Sequence, residues 1–289
     1  RYVAAPKIRM DHFYRYKNQL IELYSLFEFG QNLLGRIEIK ESAAWYQEAA
    51  ILTYQQAIGT TGIALSYLPR SPVQGPMETF NPLTLGSQIR ILVDSYLTSA
   101  YLLEDKGQGM SEFQKMVWDQ AIDRKRYEMV NSINSDNPQL SALREELERR
   151  KELIENHALF ANLDSASQNN CANGHTDKIY KNNEVAERLD LDSDTFWSMY
   201  SHYSQFVHST AFASDQLAAF QVDENGAMHF TYTMAANLCG IFSMNTLAIS
   251  EGLGVESDEM PLSVLNILLY WKDFFQGNYE NPGPRPTAT

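Results

Sequence analysis

With 289 residues, 44% of them apolar and 20% charged, the chain can bury a sizeable core, which excludes a disordered protein. The formal net charge of −13 is uneven: residues 1–150 carry 17 basic and 18 acidic side chains, whereas 151–289 carry 6 and 18. An acidic second half repels phosphate backbones, so general nucleic-acid affinity is not expected.

Asp11 can cap a first helix running to about Gly35, with Leu20, Leu23, Tyr24, Phe27 and Leu34 on its apolar side. Ser42 starts a second helix through Trp45, Leu52 and Ile63 that must stop before Pro69. The stretch 69–82 holds four prolines and Gly75 and reads as a surface crossing. Asn81-Pro82 supplies an N-cap with proline at the first helical position, opening a strongly apolar helix to about Asp105. Ser111-Glu112-Phe113-Gln114 has the form of a capping box for a helix to about Ile133. Beyond the turn at 134–138, Leu140, Leu143, Leu147, Ile154, Ala158 and Ala161 keep near-heptad spacing on one long amphipathic helix. These two helices form an antiparallel hairpin (112–162) expected to project from the main body.

Residues 164–175 are Ser/Asn/Gly-rich and read as a loop; a short helix follows near 184–189. Asp194 caps a further helix to about Phe220, Asn225-Gly226 signals a tight turn, and Met228-His229-Phe230 allows one short strand of a β-hairpin. Two more helices are expected over 233–253 and 261–275, then a flexible Pro-rich tail at 281–289. Two stretches, 49–68 and 230–250, lack charge over about a membrane thickness. Gln55, Gln56, Thr60, Thr61, Asn237, Ser243 and Asn245 interrupt them, and a lipid-facing helix would have to desolvate those groups. Both are therefore expected to be core helices. The fold class is all-α: a single helical domain over 1–280, a multi-helix bundle with a helical hairpin insert and at most one short β-hairpin.

Cys171 and Cys239 cannot build a disulfide framework, and no signal peptide begins at Arg1, which predicts a cytoplasmic, reducing setting. Arg124-Lys125-Arg126, Arg144, Arg149, Arg150 and Lys151 alternate with glutamates, the pattern of a solvated helix laced with i,i+4 pairs. Cys171-x-x-x-His175 with Asp177 lacks a second Cys/His pair at zinc spacing, so no metal site is assigned. Walker, Gly-rich dinucleotide, His-Glu-x-x-His and Gly-x-Ser-x-Gly patterns do not occur, and no cofactor is assigned.

Two polar stripes lie on otherwise apolar helices. Arg90 and Asp94 stand i,i+4, sharing a face with Ser87, Thr98 and Tyr101, and read as an interior ion pair. Tyr200, Ser204 and His208 align on a later helix, with Tyr203 and Val207 on the neighbouring stripe. A serine one turn from a histidine can make a nucleophile–base pair, but no oxyanion hole or orienting third group accompanies it. Buried polar groups need partners, so the two stripes are expected to pack together with Arg90 and His208 in one cluster.

The segment from Leu85 to Tyr96, containing Arg90-Ile-Leu-Val-Asp94, resembles the Arg-x-x-x-Glu helix of a bacterial domain-of-unknown-function family. Tyr200-Ser-His-Tyr-Ser204-Gln-Phe-Val207-His208-Ser209 resembles that family's Tyr-x-x-x-Ser-x-x-Val-His-x-Ser helix, and Val185-Ala-Glu-Arg-Leu189 the short helix before it. The likeness covers roughly 83–220, with Asp94 in place of the family's Glu. The family brings no established activity. Its helical layout invites comparison with HEPN-type ribonucleases of bacterial defence systems, yet no Arg stands four to six residues before His208 or His202 as their signature requires.

Two functions follow. The first is a non-catalytic binding or structural module whose Arg90, Asp94, Tyr200, Tyr203, Ser204 and His208 form a buried polar network, with a homo-oligomer or protein partner and no membrane. The second is a HEPN-like RNA- or phosphate-directed enzyme with Arg90 as phosphate ligand, His208 as acid/base and Ser204 as the remaining catalytic candidate.

Overall fold

The computed structural model describes residues 5–37, 44–73, 81–104, 108–208, 215 and 224–278. Among them ten α-helices form and no strand does. The chain divides into two compact units, 1–103 with 186–289 and 104–185.

In the first unit α1 (Ala5–Arg36), α2 (Trp45–Tyr67) and α3 (Pro82–Leu103) precede the excursion into the second unit. The chain returns through α8 (Ser193–Val207), α9 (Glu224–Gly252) and α10 (Leu262–Phe275). The α3 and α9 helices are central: α3 packs on α2, α8 and α9, while α9 also packs on α1, α2 and α10. Residues 238–247 of α9 are all buried, so its hydroxyls and amide must be satisfied inside the protein. Ser243, Thr246 and Ser250 donate to the carbonyls four residues back at 2.7–2.9 Å, and Asn245 Nδ2 donates to the Leu92 carbonyl of α3 at 3.0 Å. Those bonds let the uncharged 230–250 stretch sit in a protein core. No described helix is long and apolar enough to cross a membrane.

The second unit holds α4 (Gln108–Ile133), α5 (Gln139–Glu155), α6 (Ser165–Ala172) and the start of α7 (Asn182–Arg188). The α4–α5 hairpin forms as the sequence suggests, with Leu140, Leu147 and Ile154, spaced by sevens, as the buried seam. Phe113, Val117, Ile154, Cys171, Ala172 and Ile179 make its core. Buried Gln120 ties the helices together, donating through Nε2 to the Leu147 carbonyl at 3.1 Å and the Ala172 carbonyl at 2.9 Å. Basic residues pair within their helices as read from their spacing, Arg124 with Glu128 and Arg149 and Arg150 with Glu146, while Arg150 also pairs across the hairpin with Asp123, which spacing did not show.

Several boundaries differ from the sequence reading. Helix α1 starts at Ala5, so Asp11 is interior to it, and α4 starts at Gln108, so Ser111 lies inside the helix instead of capping it. The helix α5 ends at Glu155: Asn156 folds its side chain back onto the Glu152 carbonyl and His157 stacks on Phe113 at 4.7 Å. Part of the expected 164–175 loop is α6, because Asp164 accepts from the Ser167 backbone N–H at 2.8 Å as an N-cap. Asp192, not Asp194, caps α8, accepting from Thr195 N–H at 2.8 Å. Met228-His229-Phe230 is helical, not a strand: Thr231 and Thr233 donate to the Ala227 and His229 carbonyls four residues back. Asn225-Gly226 is helical as well, within α9, and makes no tight turn. Ser42 and the 281–289 tail lie outside the described residues.

Candidate functional site

Helix α3 begins at a side-chain cap, Asn81 Oδ1 accepting from the N–H groups of Leu83 and Thr84 at 3.0 and 3.3 Å. That fixes the register which places Gly86 and Arg90 one turn apart on one side. At Gly86 the absence of a side chain matters, since a Cβ there would stand 2.6 Å from Phe206 Cγ of α8. Phe196, Met199, Tyr203 and Phe206 are buried on α8, each contributing about 2 kcal/mol by leaving water. The close approach at Gly86 brings Arg90 within reach of α8's polar stripe.

Arg90 is the centre of that meeting. Its Nε donates to Ser204 Oγ at 3.0 Å, its Nη2 to the Tyr200 hydroxyl at 2.5 Å, and its Nη1 pairs with Asp94. The guanidinium carbon sits 3.9 Å from the Tyr200 ring centroid, a cation–π contact, and Trp197 stands edge-on to the same ring at 4.9 Å. Ser204 in turn donates its own hydroxyl proton to the Tyr200 carbonyl at 2.8 Å. The side chain of Arg90 is 15% exposed and that of Asp94 48%, so the pair is open to water on the carboxylate side and is not the interior ion pair read from the sequence. The reason is geometric: Asp94 stands one turn beyond the partners that α8 supplies.

His208 does not join this cluster. Helix α8 ends at Val207, leaving His208 as its exposed C-cap, and among the described residues no hydrogen bond or ion pair joins it to Arg90, Asp94, Tyr200 or Ser204. Tyr203 lies apart as well: its buried hydroxyl accepts from Asn237 Nδ2 of α9 at 2.6 Å, and burial pushes its ionisation up to about 12. Next to it, His202 packs against Tyr203 and Phe206, and burial lowers its pKa below the usual imidazole value. Ser87 commits its hydroxyl to the Leu83 carbonyl at 2.9 Å.

A cleft in the second unit had no counterpart in the sequence reading. One face of α4, carrying Trp118, Ile122, Lys125 and Met129, opposes residues 174–182 across a cavity of about 800 Å³. Gly174 makes the opposing segment possible: it closes α6 with φ +68°, and a Cβ there would meet the Gln120 carbonyl oxygen at 2.7 Å. Cys171 is wholly buried, its thiol pushed up to about 11 by burial and the nearby Asp164 charge, while His175 is exposed. Among the described residues no group of three His, Cys, Asp or Glu side chains is arranged to hold a metal ion.

Comparison with known proteins finds no matching family model, no similar curated protein and no similar solved structure. The functional reading therefore rests on geometry alone.

Proposed function

We propose that the chain is a non-catalytic helical binding or structural module, in which Arg90 clamps α3 to α8. One observation carries this reading: Arg90 donates from Nε and Nη2 to two side chains of α8, Ser204 and Tyr200, and its Nη1 pairs with Asp94 of its own helix. An arginine kept for an anionic ligand would present donors outward, and a serine nucleophile would direct its proton to a base. Here Ser204 directs its proton to a backbone carbonyl, and His208 stands apart from it. The buried free thiols of Cys171 and Cys239 are compatible with a cytoplasmic setting.

The test pairs Arg90→Lys with a mixed-sequence single-stranded RNA. A lysine is a single point charge and cannot serve three directions at once. The clamp reading expects a lower melting temperature for Arg90→Lys and intact RNA with either protein. RNA cleavage by the wild type that Arg90→Lys abolishes, with melting unchanged, would establish the HEPN-like enzyme instead.

A further inference from the structure

The cleft of the second unit carries a charge that its surroundings leave only partly satisfied. Lys178 is 9% exposed although it lines the cavity. Its Nζ donates to one acceptor, the neutral Asn182 Oδ1 at 3.3 Å. The other cations on the wall have carboxylates: Lys125 meets Glu128 at 3.2 Å, Arg126 meets Asp123 at 3.1 Å and Lys181 meets Asp164 at 3.6 Å. Asp177 also lines the cleft but makes no ion pair with Lys178 among the described residues. A lysine this enclosed, whose ammonium finds a single neutral acceptor within the protein, keeps further donors available to an anion in the cleft. The position is built rather than casual, because Thr176 Oγ accepts from the Lys178 N–H at 3.2 Å and donates to the Lys178 carbonyl at 2.9 Å.

The rest of the wall has a different chemistry. Trp118, Ala121, Ile122, Lys125 and Met129 recur at helical spacing on α4, and Ile122 and Met129 are 37% and 58% exposed there. A cavity of about 800 Å³ falls in the range of sites that enclose a small organic molecule, about 300–1,000 Å³. An inorganic ion would use the ammonium and leave the apolar face wet; a neutral hydrophobe would use the face and leave the ammonium short of acceptors.

We propose that this cleft binds a small amphiphilic anion, its carboxylate, sulfonate or phosphate group on Lys178 and its apolar body along the Trp118–Ile122–Met129 face of α4. The residues involved all belong to the second unit, so this site stands or falls independently of the Arg90 clamp.

The probes are 8-anilinonaphthalene-1-sulfonate and its uncharged counterpart N-phenyl-1-naphthylamine, titrated by fluorescence into the full chain. The wild type should bind the sulfonate saturably at one site, on the order of tenfold more tightly than the uncharged probe. Tryptophan-to-probe energy transfer should fall in Trp118→Phe. Lys178→Met, which keeps the volume, should weaken the sulfonate by about the same factor and leave the uncharged probe unaffected, while Lys178→Arg should retain binding. Equal affinity of the wild type for both probes, or undiminished sulfonate binding by Lys178→Met, overturns the proposal. The wild-type comparison decides the matter even if the variant does not fold.

Discussion

Arg90 Nε donates to Ser204 Oγ at 3.0 Å, tying α3 to α8 across 114 positions of chain. A bond of such sequence separation forms only after both helices are in place, so its loss should be felt in the packing of the whole first unit.

Replacing Arg90 by Ala should destabilise the protein by about 2 kcal/mol, within the range for hydrogen bonds to charged groups. The larger cost of about 3–5 kcal/mol for breaking a buried ion pair is not expected, since Asp94 is 48% exposed and water can take over its carboxylate. Asp94→Asn should accordingly cost less than about 1 kcal/mol. Urea unfolding of the two variants gives both values; an Asp94→Asn cost matching that of Arg90→Ala would mean the carboxylate, not α8, carries the clamp.

Adding one methyl at the helix crossing tests the same contact from its apolar side. In Gly86→Ala the new Cβ stands 2.6 Å from Phe206 Cγ, and both belong to packed helices. The expected loss is about 1–3 kcal/mol, the usual cost of overpacking. Phe206→Ala, added to Gly86→Ala, removes the Cγ and Cδ1 that the new Cβ meets and should recover part of the loss, so the double variant should be more stable than the two single losses add up to. Strict additivity in a double-mutant cycle would contradict the contact.

The stripes that met at Arg90 were legible because helical spacing fixes which residues share a face: Arg90 with Asp94, and Tyr200 with Ser204. Satisfaction of polar groups then paired one stripe with the other. The same arithmetic failed for His208, since periodicity does not say where a helix ends, and α8 stops one residue earlier. The Asp192 cap and α6 were obscured by Ser, Asn and Asp residues that favour caps and turns alike. On α4, Trp118, Ile122, Lys125 and Met129 could be seen as a stripe, but the segment opposing it depends on a left-handed turn at Gly174 that no local pattern announces. Met228-His229-Phe230 misled for want of context: a short apolar run does not distinguish a strand from a buried helix.

In the second unit, stability should hinge on Gln120. Its Nε2 joins α4 to the middle of α5 through the Leu147 carbonyl and to the last residue of α6 through the Ala172 carbonyl. Gln120→Met keeps the volume and removes both bonds, leaving two carbonyls without that donor. At about 1 kcal/mol for each bond, the loss should be about 2 kcal/mol. Hydrogen exchange offers the sharper measurement: amides of α5 and α6 should lose protection while those of α9 keep theirs. Uniform loss over both helical sets would contradict a local tie.

The last expectation concerns pH and follows from His202. Burial against Tyr203 and Phe206 lowers its folded pKa below the ordinary imidazole value of 6.5. The unfolded chain therefore binds more protons than the folded one in the window between that lowered value and 6.5. Stability rises with pH where the unfolded state holds the extra proton, so this contribution is complete above about pH 6.5 and is lost as pH falls through the folded value. Asp192 and Asp164, whose carboxyls are held below their usual range by hydrogen bonds from Thr195 and Ser167, lose their contributions only at lower pH. The two effects can thus be separated. Melting temperatures from pH 8 to about pH 5 should decline for the wild type, and His202→Phe, which keeps the ring but cannot be protonated, should flatten that decline while leaving the steeper loss in the carboxylate range. A His202→Phe profile parallel to the wild type across the histidine range would mean that the imidazole is reached by water in the folded protein and takes up its proton without cost.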